Sequence, residues 1–252
     1  MTTPTTLPET KILEFRTNGF VHIPAIISKE EAARFARAAL DLQENHIRNQ
    51  TANSDRPVFT QMVNVWRENE TMKALTLHPN VAAVATTLAG VPLRLWHDQI
   101  LIKKPHNNAP TEFHQDQPYW PHANSPHPIS AWIALVDVPV ERGCMTFIPR
   151  AQSRTDLPAQ NLGDSRSLFT ICPDLEWEPR VILPLKAGDC TFHHGRCPHM
   201  ATPNFTDDPR VAHVVIFIDR TTTYRKQGHV VTDPLGLEDG ALLEGDLFPE
   251  VG

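Results

Sequence analysis

The amino-acid sequence predicts a mainly β fold. An N-terminal helical layer, about residues 1–91, covers a β-core over about 92–225, and an irregular tail follows at 226–252, all within a single domain spanning 1–252. Three observations predict this. As far as Gly90, apolar residues recur at helical spacing behind recognisable start and stop signals. After Pro92, short Val/Ile/Leu/Trp/Phe runs alternate with Pro, Gly, Asn and Asp breaks, the texture of a sandwich or small barrel. And 15 of the 23 prolines fall between Pro105 and Pro209. They sit in connections and strand starts, where a missing N–H breaks no ladder bond.

The elements follow in order. A short helix is expected over 9–17. Ser28-Lys29-Glu30-Glu31 forms a capping box, with Ser28 as N-cap and Glu31 three residues on. Behind it Phe35, Ala38, Ala39 and Leu42 share one helical face. Pro79 suits a first helical residue, Val81, Val84, Ala85 and Leu88 form the buried stripe, and Gly90 ends the helix. Strands are expected over 93–102, 129–136, 144–148, 180–185, 190–193 and 211–218. The tail from Thr232 is acidic and turn-rich.

Composition excludes several roles. With 23 Lys and Arg against 29 Asp and Glu, the net charge is -6, so there is no basic surplus for a nucleic-acid partner. No apolar run approaches the ~18 residues of a membrane span. The first residues show neither a basic nor an apolar leader region, so no secretory signal is expected. Cys144, Cys172, Cys190 and Cys197 form no C-x-x-C pair and read as reduced thiols of a cytoplasmic protein.

The chemistry concentrates where histidines bunch. His114 and Asp116 are two apart, so a strand would put both on one face. One imidazole and one carboxylate suit a borderline divalent metal, although a polar loop beside a strand gives the same pattern. His97-Asp98 would face opposite ways and reads as ordinary strand polarity; His193-His194 also face opposite ways, so at most one points inward, in a structural role or supporting the ligands. His199, 85 residues beyond His114, could complete a two-histidine, one-carboxylate facial triad that leaves coordination positions open. Cys197 lies beside it, but a soft thiolate is out of place in an oxygen-rich site. Arg210, eleven residues further on, carries a planar guanidinium suited to gripping a carboxylate. Asn204 and Thr206 make the turn between them. Lys103-Lys104 reads as a solvated strand end, with an anchor for an anionic substrate as the alternative.

Together, FHQDQPYW at 113–120, WIALVD at 132–137, GCMTFIP at 143–149, GDCTFHH at 188–194 and the spacing of His199, Asn204 and Arg210 resemble the phytanoyl-CoA dioxygenase family, over about residues 15–225. Members are non-haem iron(II), 2-oxoglutarate-dependent oxygenases. The resemblance implies a double-stranded β-helix (jelly-roll, cupin-like) core, with Fe(II), 2-oxoglutarate and O2 as cofactor and cosubstrates. By position, His114, Asp116 and His199 match the iron ligands, and Arg210 matches the residue binding the distal 2-oxoglutarate carboxylate. Trp132 matches a tryptophan near the cosubstrate, or is a plain core aromatic. Thr111 and Gln99 are placed to assist at the same carboxylate.

Two departures stand out. The family follows Phe-Ile-Pro with Gly-Ser-His, whereas this chain has Arg150-Ala151-Gln152, so the turn must suit a Cβ. Met200-Ala201 replaces a Gly-Ser, losing a hydroxyl that Thr202, one position off, does not restore. The proline-rich loop with Tyr119, Trp120 and His122 is a candidate substrate wall, or an ordinary surface loop.

The expected function is oxidation of an unactivated C–H of a small organic molecule, as in natural-product biosynthesis. A carboxylate at Asp116 favours hydroxylation, cyclisation, desaturation or epimerisation over halogenation. The alternatives are a non-catalytic jelly-roll ligand-binding protein and a zinc-dependent hydrolase using the same triad. Nothing in the sequence sets the oligomeric state.

Overall fold

The computed structural model describes residues 7–49 and 60–252; residues 1–6, part of the segment read as lacking a leader, lie outside them. The chain begins with α1 (Glu9–Asn18), β1 (Phe20–Ile23) and α2 (Lys29–Asn49). The capping box at α2 forms: Glu31 N–H donates to Ser28 Oγ at 3.1 Å and Ser28 N–H to Glu31 Oε2 at 2.9 Å. Next come β2 (Thr60–Val63), α3 (Glu70–Thr76) and α4 (Pro79–Ala89). Pro79 opens α4, and Gly90 closes it in the left-handed conformation.

The sheet-forming half contains β3 (Leu93–Lys103), β4 (Thr111–His114), β5 (Ile129–Ala134), β6 (Met145–Phe147), α5 (Ser167–Ile171), β7 (Val181–Leu183), β8 (Cys190–His194), β9 (His199–Ala201) and β10 (Arg210–Asp219), with β11 (Glu250–Val251) in the tail. A seven-stranded antiparallel sheet runs β1-β8-β5-β10-β3-β11, with β2 also on β3, and a four-stranded sheet runs β4-β9-β6-β7. The two face each other as a jelly roll. Helices α2, α3 and α4 cover the outer face of the larger sheet.

The structure adds strands beyond the six expected: β4 and β9, of four and three residues, carry His114 and His199, and three more lie further out. Two strands, β1 and β2, arise inside the segment read as helical, and β11 pairs the tail with Leu93 and Arg94. Each is four residues or shorter, too brief to show a period, and each forms because an existing strand offers a free edge.

Burial explains β10. All ten of its residues are buried, since helices cover one face and the smaller sheet the other. Val211, Val215 and Phe217 join the helix-side core with Phe35 and Ala39. Ala212, Val214 and Ile216 face the interior of the roll. Opposite them, β3 carries an irregularity: Ile216 pairs with His97 and Phe217 with Leu95, leaving Trp96 unmatched. A bulge of this kind re-aims side chains. Leu95 packs with the helices, Trp96 joins the interior cluster, and His97 also faces inward. Asp98 then returns to the helix side.

There Asp98 ties sheet to helices. Its Oδ2 accepts from Trp66 N–H at 3.0 Å and lies 2.8 Å from Thr76 Oγ1. Thr76 Oγ1 is also 3.0 Å from Met72 O and 2.9 Å from His213 Nε2. A hydroxyl has one proton to give. Shared between Met72 O and Asp98 Oδ2, it leaves His213 to donate to Thr76 as an Nε2–H imidazole. Burial pushes Asp98 up to about 7 and His213 down to about 3.

Asp98 ionises in the unfolded chain near its ordinary 3.8 but keeps its proton in the fold to about 7. Its contribution to stability is complete below the lower value and lost as pH rises through the upper one. Unfolding free energy is expected to fall with pH across that window, by at most about 1.4 kcal/mol per pH unit. Chemical denaturation at stepped pH measures this, and Asp98→Asn should flatten the slope.

Candidate metal centre and its cavity

His114 ends β4 and pairs with His199, the first residue of β9. The β4–β9 register shifts between Thr111 and His114, so these residues, three apart, both line one cavity while Phe113 turns out against Phe169, ring centroids 5.7 Å apart. Asp116 lies beyond the strand with helical backbone angles, φ −74 and ψ −44. Period-two alternation on a strand therefore does not bring His114 and Asp116 together, as the spacing suggested. The turn after β4 does.

The three side chains converge. Their nearest candidate ligand atoms all lie within 4.8 Å of one another; His114 Nε2 is 3.5 Å and His199 Nε2 3.6 Å from Asp116 Oδ1. His114 Nδ1 is 2.7 Å from Glu112 O, and His199 Nδ1 is 3.0 Å from Cys197 O. A carbonyl only accepts, so each Nδ1 carries the proton and each Nε2 presents a lone pair. Two lone pairs then face a carboxylate oxygen. Three acceptors around one point suit a cation at their centre, and two imidazoles with one carboxylate are the donor set of a facial-triad iron site.

Burial pushes His199 down to about 3, which favours its neutral, ligating form. Burial also opposes the charge on Asp116; protons on the facing His199, His114 and His193 would hold its carboxyl well below the ordinary range, and with His114 and His199 neutral a cation takes that part.

Arg210 lines the same cavity, only 1% exposed, and its Nε and Nη1 have no hydrogen-bond partner. The Trp132 ring centroid is 5.2 Å from its guanidinium carbon. Burial lowers Arg210 to about 10, which leaves it charged at neutral pH. A buried cation lacking a counter-ion is costly, and a ligand carboxylate would supply one.

The two lysines read as solvated separate here. Lys104 is exposed, but Lys103 is fully buried beside Arg210. Its Nζ donates to the carbonyls of Ala109, Ala201 and Thr202 at 3.1, 3.2 and 2.9 Å, the three bonds of an ammonium group. Burial first, and then Arg210, push it down to about 7. Asn204, also buried, closes the turn before β10, its Nδ2 donating to the carbonyls of Lys103, Lys104 and Asp208.

Of the remaining expected residues, Thr111, Gln99, Trp132, Tyr119 and Trp120 line the cavity. Gln99 Oε1 accepts from Gln61 Nε2 at 2.8 Å. The Tyr119 hydroxyl donates to Gln160 O. His122 does not reach the cavity; its ring packs behind the wall, 4.6 Å from Trp96 and 5.5 Å from Trp120. Thr202 Oγ1 donates to Val140 O, away from Arg210.

Arg150 stands in a left-handed turn, φ 65, which a residue with a Cβ adopts at a cost, and its N–H donates to Asn18 O at 3.0 Å.

Sequence reasoning missed Gln61, His97 and His229, all on the cavity together with His193. Alternation in β8 lets only one of His193 and His194 point inward, and His193 is that one. It faces inward, its Nε2 3.3 Å from Asp116 Oδ2, while His194 turns outward to Pro126 O. No local pattern marks Gln61 or His229.

A jelly roll holding a facial-triad donor set and an unpaired buried arginine in one cavity defines a class, the 2-oxoglutarate oxygenase fold. The family model described as phytanoyl-CoA dioxygenase (PhyH) matches residues 15–212, and the chain belongs to this family. The mouse (Mus musculus) phytanoyl-CoA dioxygenase domain-containing protein 1 is 25% identical over 163 residues, 62% of this chain. The match spans 56% of that relative, little more than half its length.

Similarity to solved structures is broader. The non-heme alpha-ketoglutarate-dependent carbocyclase SnoK from nogalamycin biosynthesis is 37% identical, covering 100% of this chain and 99% of that one, with TM-score 0.87. The epimerase SnoN, solved with Fe3+, alpha-ketoglutarate and nogalamycin RO, is 37% identical over 96% and 97% of the two chains, with TM-score 0.83.

Gly143 opens the segment leading to β6 at φ +80, where an added Cβ would lie 3.1 Å from Thr202 O and 3.7 Å from Arg210 Nε. Gly236 is also left-handed, but nothing lies within 4 Å of its Cβ position. Gly143→Ala is expected to cost about 2–3 kcal/mol and Gly236→Ala about 1 kcal/mol, the backbone term alone. Thermal melting of the two variants checks the difference.

Proposed function

We propose that the protein is an Fe(II)- and 2-oxoglutarate-dependent oxygenase that oxidises a C–H of a small organic molecule. The observation that carries this reading is the unpaired, buried Arg210 in the same cavity as three converging acceptors. A hydrolytic metal site has no use for that guanidinium, and a passive binding site has no use for the bare imidazole nitrogens. Iron with 2-oxoglutarate and dioxygen would supply oxidising power there, the cosubstrate ending as succinate and carbon dioxide.

The chain's own residues do the rest. His114, Asp116 and His199 would hold the metal from one side, leaving the other open. His193 Nε2 steadies the second oxygen of Asp116. Arg210 would take the distal carboxylate of 2-oxoglutarate in a charge-assisted bidentate grip, over the face of Trp132 and with the Thr111 hydroxyl within the same cavity. Lys103 braces this end by tying β3 to the strand that carries His199. Tyr119 and Trp120 wall the opposite side and exclude water.

The cavity measures about 400 Å³, room for a cosubstrate and part of a second small molecule. The similar carbocyclase and epimerase of nogalamycin biosynthesis favour natural-product tailoring, with ring closure or stereoinversion as outcomes besides hydroxylation. Among the described residues no helix is long and apolar enough to cross a membrane. The four cysteines are free and buried, which supports a cytoplasmic setting.

Two variants test this. Asp116→Ala is expected to abolish 2-oxoglutarate-dependent succinate formation. Arg210→Met should raise the KM for 2-oxoglutarate about 100-fold or more, the equivalent of two charged hydrogen bonds. Succinate release, together with the visible band formed on anaerobic addition of Fe(II) and 2-oxoglutarate, reads both. Parent-level turnover in Asp116→Ala would rule the iron assignment out.

A further inference from the structure

His97 and His229 meet at the cavity away from Arg210, and the fold sets the proton of each ring. His97 Nδ1 lies 3.2 Å from Asp98 O. A carbonyl only accepts, so Nδ1 carries the proton and Nε2 is a bare acceptor. That Nε2 is buried and has no partner, in a residue 1% exposed. His229 is set the other way. The backbone N–H of Val231 donates to its Nδ1 at 3.2 Å, so its proton sits on Nε2, a donor. The two rings lie 5.6 Å apart between centroids, and both line the cavity. The bulge at Trp96 turns His97 inward, and the turn in which His229 N–H donates to Asp233 Oδ1 at 2.9 Å holds the second ring.

We infer that His97 and His229 form an acceptor–donor pair that grips one hydroxyl group of the primary substrate, which is therefore a neutral, hydroxyl-bearing ring compound. This rests on the oxygenase reading above. A hydroxyl gives its proton to His97 Nε2 and takes one from His229 Nε2, satisfying both nitrogens at once. A ketone engages His229 alone. A carboxylate takes the His229 proton but meets the His97 lone pair with like charge. Val63, Leu101, Trp120, Ile216 and Val230 give the same cavity an apolar lining beside Gln61 and Gln99, whose amides bond each other, so the body of the ligand is a hydrocarbon or aromatic ring. Burial holds His97 down at about 3, so its acceptor is present throughout the neutral range.

The test uses α-tetralol, its methyl ether and α-tetralone as probes, bound to the full chain with Fe(II) and 2-oxoglutarate under anaerobic conditions and followed by ligand-observed NMR. Tetralol is expected to bind about fivefold more tightly than the methyl ether, one neutral hydrogen bond's worth. His97→Phe and His229→Phe should erase that preference, while His97→Gln, which keeps an acceptor near the same place, should retain it. A purely structural role for either ring would not move the ratio of alcohol to ether. Proton–nitrogen NMR of the histidine rings should show His97 protonated on Nδ1 and His229 on Nε2. Equal binding of alcohol and ether, binding of neither, or the opposite ring protonation overturns the pair. Failure of the parent to form the visible Fe(II)–2-oxoglutarate band overturns the oxygenase reading instead, so the two failures are distinguishable.

Discussion

Glu112 and Cys197 each offer a carbonyl to the histidine two residues further on, and the cavity is organised around that pair of bonds. Both carbonyls belong to segments that the β4–β9 pairing brings side by side, so the two imidazoles are oriented by backbone, the least mobile part of the site. With their Nδ1 protons committed, His114 and His199 turn unprotonated nitrogens toward the carboxylate of Asp116. Left as such, the three would repel one another in a poorly solvated space. The arrangement is stable in company with a positive ion, and sheet pairing enforces it before any ion arrives.

The rest of the interior is arranged around a separation of charge. Arg210 and Lys103 stand next to each other across the β3–β10 pairing, both buried, and the metal-facing acceptors lie along the same cavity. Lys103 is quieted by three carbonyls, whereas Arg210 keeps two nitrogens unused. The protein thus spends hydrogen bonds on the cation that braces the strands and withholds them from the one that faces the ligand. On the far side of the larger sheet the polar groups are treated oppositely: Asp98, Thr76 and His213 satisfy one another without net charge, which suits a layer whose task is to hold helices onto strands.

Much of this was legible in the sequence. The capping box, the Pro79–Gly90 helix and six strand runs are local patterns, and local patterns survive into the fold. The convergence of His114, Asp116 and His199 and the placing of Arg210 on the cavity came from ordered motifs at fixed spacing. What escaped was set by distant partners. Lys103 reads as a strand-end charge until the turn at Asn204 covers it. His122 looks like a loop residue at the mouth, yet the neighbouring indoles pull it behind the wall. Arg150 takes a left-handed conformation although it carries a Cβ, in a turn held by its backbone hydrogen bond to Asn18. Gln61 and His229 come from segments that gain meaning only when edge pairing and the tail bring them home.

The unmatched residue at Trp96 has a wider consequence. A strand is a two-letter alphabet of inside and outside, and the bulge inserts a fault in that alphabet at the fourth of the eleven residues of β3. Before the fault, Leu95 belongs to the helices; after it, His97, Gln99 and Leu101 belong to the cavity and Asp98, Ile100 and Ile102 to the helices. Deleting Trp96 would leave a plain alternation with both sets on their present faces, whereas a deletion within the regular run after it would exchange the two sets from that point on. Recognition and scaffolding therefore share one frame, and an insertion or deletion in the regular run after the fault is a larger step in sequence space than any point substitution on either face.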